Sequence, residues 1–291
     1  MSRRALCRDL GAALYCDEVG IEYGLYRDHR GDHRLKSAYQ PVYAPRGGHL
    51  APVALAAFLA PQRLGRPVPR GAFLDGVPAA ERPFVDAMGR LLHLANFRNA
   101  GAEGLDLLLD WGPGAGERPL RTPAEIRLMA QRLDEWELHA GMLVCAVSAA
   151  ADMQLSARLA RELRRNGLGV AIGGFGAGPA TEELLGQIRP DIVRIDGGWF
   201  CELCRHAAAA RLLRPLLDLL HRQGARVLVD GIETPPQLLL ALESGADLLQ
   251  GALLAPPAPA GALLRREPLA IDSLSGAAGG KVVSLFGRAP G

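Results

Sequence analysis

The sequence predicts an α/β protein, a TIM-like (β/α)8 barrel with helices on its outside, and three observations carry that expectation. From about residue 105 onward, short apolar runs alternate with helical patterns through six strands. Upstream lie two more apolar runs joined by a tight turn. At 291 residues the chain is long enough to close one such barrel around its own core.

The elements follow in order. "KSAYQPVYA" (36–44) and "HLAPVALAAFLA" (49–60) read as strands. The "PRGG" between them permits only an antiparallel pair, because a parallel crossover needs about a dozen residues. "LDLLLDW" (105–111) is the third strand, and "TPAEIRLMAQRLDEWEL" (122–138) a helix with a Thr cap and Pro at its first position. Strand "MLVCAVS" (142–148) and helix "MQLSARLARELRRNG" (153–167) come next, the helix stopped by Asn-Gly. Strand "GVAIGGF" (169–175), helix "ATEELLGQI" (180–188) and strand "DIVRID" (191–196) precede a long helix expected from Cys201 to Gln223. Strand "RVLVDGI" (226–232), helix "PPQLLLALESG" (235–245) and strand "DLLQGALLA" (247–255) complete the series. The expected organisation is an N-terminal extension (1–34), the barrel (35–266) and a flexible, Gly/Ala/Ser-rich tail (267–291).

Composition narrows the function classes. The chain is 49% hydrophobic and 22% charged, with a formal net charge of +2, too small to argue for a nucleic-acid polymer or an anionic membrane as partner. No apolar window approaches the ~18 residues that would span a bilayer. Five cysteines (Cys7, Cys16, Cys145, Cys201, Cys204) and no secretory leader point to reduced thiols and a cytoplasmic protein. "CELCRH" (201–206) contains a CxxC but no second pair, and its histidine falls one residue late for haem attachment. His49 and His93 lack partners at metal-ligand spacing and read as surface or packing residues.

The stretch "GLGVAIGGFGAGPATEELL" (167–185) is a strand, a glycine-rich turn and a helix. A dinucleotide site would need such glycines in the first βα unit and an acid closing the second strand, and here Asp191 opens a strand instead. A phosphate nest of backbone N–H groups remains open, as does a metal-binding corner stripped of its acids. The strand ends, where barrel chemistry sits, offer Val53, Asp110, Cys145, Gly173, Gly174, Arg194, Asp230 and Gln250. That is a sparse set of acids for metal-assisted hydrolysis.

Six motifs in order make the chain resemble the EAL domain family, phosphodiesterases that hydrolyse cyclic di-GMP with two Mg²⁺ or Mn²⁺ ions. The resemblance covers residues 36–257. "YQPVY" is similar to the opening strand, "LDLLLDW" to the strand bearing a metal-binding Asn, and "GVAIGGFGAG" to the strand that reads DDFG-x-G in the family. "DIVRID" resembles the KID strand, "VLVDGIET" the EGVET strand, and "LLQGALLAPP" the final QG strand. The resemblance implies a barrel of EAL type whose first strand is antiparallel.

It also implies that several metal ligands are replaced. The signature Glu falls at Val53, the Asn at Asp110, the fourth-strand Glu within a residue or two of Cys145, and the paired Asp residues at Gly173 and Gly174. The catalytic Lys becomes Arg194, the first Glu of EGVET becomes Asp230, and the ligand-binding Arg falls near Ala57. Glu233, which holds an active-site loop in the family, and Gln250 are kept. The expectation is a catalytically inactive domain with no metal cofactor, Asp110 and Asp230 being its residual acids. It would act as a regulatory module through an unknown protein partner, with a homodimer through the 201–223 helix as one form. The alternatives are a metal-independent cyclic di-GMP receptor using Gln40, Arg194, Asp230 and Gln250, and a phosphodiesterase with a rebuilt metal site. Arg194 itself has two readings, a phosphate contact or an ion pair with Asp110, Asp230 or Asp196.

Overall fold

The computed structural model describes residues 14–28, 31–111, 122–131, 133–148, 153–177, 182–262 and 264–275. It opens on an antiparallel meander of β1 (Leu14–Cys16), β2 (Glu22–Asp28) and β3 (Gly31–Arg46). β4 (His49–Arg63) then returns along β3, from Arg46 opposite His49 to His33 opposite Arg63. Both residues of this turn, Gly47 and Gly48, have positive φ (52° and 83°), the mirror-image turn that matches strand twist and that side chains resist. β5 (Arg66–Pro67) folds back on the end of β4, and α1 (Arg70–Gly76) and α2 (Arg82–Asn96) follow.

Six parallel strands then alternate with helices: β6 (Asp106–Asp110), α3 (Thr122–Gln131), β7 (Leu143–Ser148), α4 (Met153–Arg165), β8 (Gly169–Phe175) and α5 (Glu182–Ile188). β9 (Ile192–Ile195) leads to α6 (Gly197–Cys204), α7 (Ala207–Ala210) and α8 (Leu213–Arg222). β10 (Arg226–Val229), α9 (Pro235–Glu243) and β11 (Leu248–Leu249) close the series. β4 pairs in parallel with β6, and β11 pairs antiparallel with β3, so the ring of eight strands closes with β3 alone reversed. This is the barrel that the sequence predicts.

Alternation along each strand separates two cores. Val42, Ala54, Ala56, Leu108, Val144, Ala146, Ala171, Ile192, Leu228 and Leu248 fill the barrel. Their neighbours, such as Leu107, Cys145, Val170, Val193 and Val227, point outward onto the helices. α8 meets them with Leu213, Leu217 and Leu220, spaced one helical stripe apart and all buried, each contributing about 1.5–3 kcal/mol.

Four elements differ from expectation. The helix expected over 201–223 is three pieces. Asp196 caps the first of them by accepting from Trp199 N at 2.9 Å, which starts the helix at Gly197. His206 is extended (φ −122°, ψ 106°), and Pro215 sits in the first turn of α8, where its missing N–H costs nothing. The helix expected over 122–138 ends at Gln131 and passes into a 3₁₀ turn, Leu133–Trp136, that buries both of its end residues; the side chains of Thr122 and Pro123 lie outside the described residues. The last barrel strand is only Leu248–Leu249, although Gln250 N still donates to Val229 O at 3.0 Å. Beyond β12 (Ala258–Pro259), residues of the segment expected as a flexible tail form β13 (Leu269–Ala270), paired with His49 and Leu50, and then α10 (Ile271–Leu274).

The N-terminal segment is likewise tied to the barrel. Asn96, fully buried on α2, donates to Glu22 O (2.7 Å) and accepts from Glu22 N (2.8 Å). Gly24 faces Met88 so closely that a Cβ would lie 2.3 Å from its sulfur. β1 and β2 escape notice in the sequence because Tyr23 and Leu25 give the outer face apolar residues while Gly24 and Tyr26 face inward, which erases the alternation.

Candidate functional site

Register places the site. Ala54–Ala56 of β4 lie beside Asp106–Leu108 of β6, so continuing two residues brings Phe58 level with Asp110 at the C-terminal mouth. Asp110 pairs with Ala146, and Ser148 with Gly173. A cavity of about 380 Å³ opens there, bounded by these strand ends and by α1 and α2.

One guanidinium organises its floor. Arg194 of β9 donates from Nη2 (2.5 Å) and Nε (3.0 Å) to Asp230 Oδ2, and from Nη1 to Asp110 Oδ1 at 3.4 Å. Phe58 lies 5.9 Å from its Cζ. Burial works against the Arg194 charge, but Asp230, Asp110 and Asp196 outweigh it and hold its pKa above the ordinary value. Arg70 of α1 reaches Asp110 from the other side at 3.6 Å, giving an ordered row Arg70–Asp110–Arg194–Asp230.

The opposite wall is more deeply buried. Arg90 lies over the Trp111 ring at 4.3 Å with Glu125 at 3.5 Å, and burial lowers its pKa against the pull of Asp86 and Glu125. Burial raises the pKa of the Asp86 carboxyl, with Arg90 and Arg70 opposing. His93 stands 2.9 Å from Ser37 Oγ, and burial, with Arg70 and Arg90 adding to it, pushes its pKa down to about 3. The folded chain therefore keeps His93 neutral where the unfolded chain, with a pKa of about 6.5, has already taken a proton. Stability must fall as pH drops between those values, with a slope approaching about 1.4 kcal/mol per unit from this residue. Urea unfolding at pH 7, 5.5 and 4.5 should show that loss, and His93→Gln should flatten it.

Of the predicted residues, Asp110, Gly173, Gly174, Arg194 and Asp230 line this one cavity, and Ala57 lies in its wall. Gln40 and Gln250 do not. Gln250 Nε2 donates to Gln40 Oε1 at 3.0 Å, and Gln40 Nε2 donates to Ala255 O at 2.9 Å, so one bond joins the two amides inside the barrel while Gln250 Oε1 is buried without a partner. Val53 is a correction: it sits at a bulge in the β3–β4 ladder, five residues or roughly 17 Å along the strand from Phe58. Cys145 is another. Its side chain faces the outer helices, fully buried, and burial raises its pKa to about 12. The positions of β7 that face the cavity are Ala146 and Ser148. Glu233 is exposed beside the start of α9, its backbone N–H donating to Gln237 Oε1 at 2.8 Å. Sequence reasoning missed Arg70, Arg90 and Asp86, which belong to helices that no motif marked.

The glycine turn has a structural explanation. Gly173 faces the cavity with ordinary room for a Cβ, 3.5 Å from Ala146 Cβ. Gly174 has φ 71°, and Gly176 has φ 99° with the Trp199 ring 2.6 Å from where its Cβ would stand. Trp199 thus packs on the turn as its cover. The donors around the cavity do not fit a two-cation cluster: each ion takes about six oxygens, whereas Asp110 and Asp230 are bridged by a guanidinium. Among the described residues no three His, Cys, Asp or Glu converge in metal-binding geometry.

Fold and site define an α/β barrel with one reversed strand and a charged cavity at its strand ends. Residues 118–257 match the model of the EAL domain. Over these residues, just under half of the chain, the protein is similar to the EAL domain family. The probable cyclic di-GMP phosphodiesterase PdeD of Escherichia coli K12 is 31% identical over 102 residues, 35% of this chain and 19% of that protein. The cyclic di-GMP phosphodiesterase PdeH of the same strain is 34% identical over 85 residues, 29% and 33% of the two chains. An uncharacterized signaling protein of Caulobacter vibrioides is 27% identical over 267 residues, 85% of this chain and 31% of that one. The chain thus spans at most about a third of the length of these relatives.

Klebsiella pneumoniae BlrP1, solved with manganese and cyclic di-GMP, superposes with a TM-score of 0.69 at 18% identity, over 89% of this chain and 62% of that one. Bacillus subtilis YkuI, solved with cyclic di-GMP and calcium, gives 0.67 at 17% identity, over 84% and 59%. These likenesses establish the fold. No helix among the described residues is long and apolar enough to cross a membrane.

Proposed function

We propose that the chain is a catalytically inactive EAL domain, centred on residues 35–266, that serves as a cytoplasmic regulatory module acting through protein contacts. The observation that carries this reading is Arg194, whose guanidinium stands between Asp110 and Asp230. Metal-assisted hydrolysis relies on a cation that binds water and lowers its pKa. A guanidinium neutralises the same acids but has no coordination position for water. Phe58, Ala146, Ser148 and Gly173 add no carboxylate around it; of the cavity's other two acids, Asp86 faces Arg90 and Arg70, and Asp196 caps α6.

Calorimetric titration with cyclic di-GMP, in EDTA and then in Mn²⁺, tests the reading together with an assay for the linear dinucleotide. The expected result is no heat and no product in either buffer. Product in Mn²⁺ that disappears in Asp230→Ala would establish a phosphodiesterase with a rebuilt site and overturn the proposal. Arg70, half exposed at the cavity rim, favours one second reading, a metal-independent cyclic di-GMP receptor. Micromolar binding in EDTA that is lost in Arg70→Ala would establish it. A homodimer is part of the leading reading, and light scattering on the purified chain checks it.

A further inference from the structure

The CxxC pair lies apart from the proposed function, and its surroundings give it one. Cys201 and Cys204 are three residues apart on α6, on one side of the helix. That spacing puts their Cα atoms roughly 5 Å apart, inside the range a disulfide spans; the Cβ atoms, roughly 5–6 Å apart on a regular helix, must close on each other, which shifts the last turn of α6. Cys201 borders an open cavity of about 620 Å³ together with Arg205, Asp230 and Gly231. Its Sγ donates to Gly231 O at 3.4 Å and accepts from Gln237 Nε2 at 3.4 Å. One sulfur thus ties α6 to α9 and to the loop that leaves Asp230, the carboxylate holding Arg194. Cys204 lies behind it, partly buried against the core; burial raises its pKa to about 11, and charge on the nearby Cys201 adds to that.

We infer that Cys201 and Cys204 form a redox-active dithiol whose reaction partner is a low-molecular-weight disulfide entering through this cavity. The Cys201 thiolate attacks the disulfide R–S–S–R, forming Cys201–S–S–R and releasing RS⁻. The Cys204 thiolate then attacks the Cys201 sulfur, forming the intramolecular bond and releasing a second RS⁻. The protein gives up two protons and two electrons, and the two released thiols carry the electrons. Cys201 then has no S–H to donate to Gly231 O, and the loop over residues 231–234 loses that tie.

The test equilibrates the full chain with glutathione and glutathione disulfide over a range of ratios, then alkylates it under denaturing conditions and maps the products by mass spectrometry. The expected product is a Cys201–Cys204 disulfide while Cys145 stays alkylatable. Complete alkylation at every ratio, a glutathione adduct left on Cys201, or a different pairing would each overturn the inference. Hydrogen exchange over residues 231–234 supplies the second reading. It should accelerate roughly fivefold on oxidation, the factor for one lost hydrogen bond, and should not respond to oxidant in Cys201→Ser, whose hydroxyl has no sulfur to oxidise. Unchanged exchange in the oxidised chain would overturn the link to the loop. Neither measurement depends on whether the domain hydrolyses cyclic di-GMP.

Discussion

Arg194→Met should cost the protein about 3 kcal/mol of stability, read as a lower urea midpoint at pH 7. Arg194 and Asp230 are only 16% and 19% exposed, and truncating the cation leaves a carboxylate that has lost two charge-assisted hydrogen bonds. Asp110 is 44% exposed and adds little, because water takes over its solvation. At roughly 2–4 °C per kcal/mol for a chain of this size, the melting temperature should fall by roughly 6–12 °C. Arg194→Met combined with Asp230→Asn should recover part of the loss, since the stranded charge is gone. A single variant as stable as the parent would mean that Arg194 is not the cation of this site, and the proposed inactivity would lose its main support.

Gly251→Ala should be more damaging still, by more than about 3 kcal/mol, seen as loss of soluble protein or of a cooperative unfolding transition. A Cβ at Gly251 would lie 2.1 Å from Ile232 O and 2.3 Å from Ile232 N, and backbone atoms of a buried loop cannot give way as a side-chain tip can. Ile232 N donates to Gln250 O (3.1 Å), and Leu253 N donates to Ile232 O (3.0 Å), so the clash would break the contact that seats the loop after Asp230. Gly224→Ala, at a site where a Cβ meets nothing within 4 Å, is the control: it should cost only the strain of its positive φ, about 1 kcal/mol.

Much of this was legible in the residues themselves. β8 runs over Gly169–Phe175 as the apolar run at 169–175 predicts, and the six parallel strands fall where short apolar runs are bounded by helical patterns. Within the site, Asp110, Gly173, Gly174, Arg194 and Asp230 could be found because each ends a recognisable strand. Arg70, Arg90 and Asp86 could not be found in this way. They sit on helices that touch the mouth only after the barrel closes, and no local pattern distinguishes them from solvated charges.

Sequence by itself determined the fold class, the reversed first strand and the family resemblance, because strand period, turn length and motif order are local properties of the chain. Which side of a strand a residue occupies depends on register, and a shift of one residue moves a side chain from the mouth to the helical layer. Tertiary structure therefore decided that Cys145 faces outward, that Val53 lies far from the mouth, and that Gln250 donates to Gln40 inside the barrel. It also brought together the ion pairs that one of the two readings of Arg194 expects. Strands that are 36 and 84 residues away in sequence bring Asp230 and Asp110 to its guanidinium, and opposite charges held that close in a partly buried cleft pair with each other.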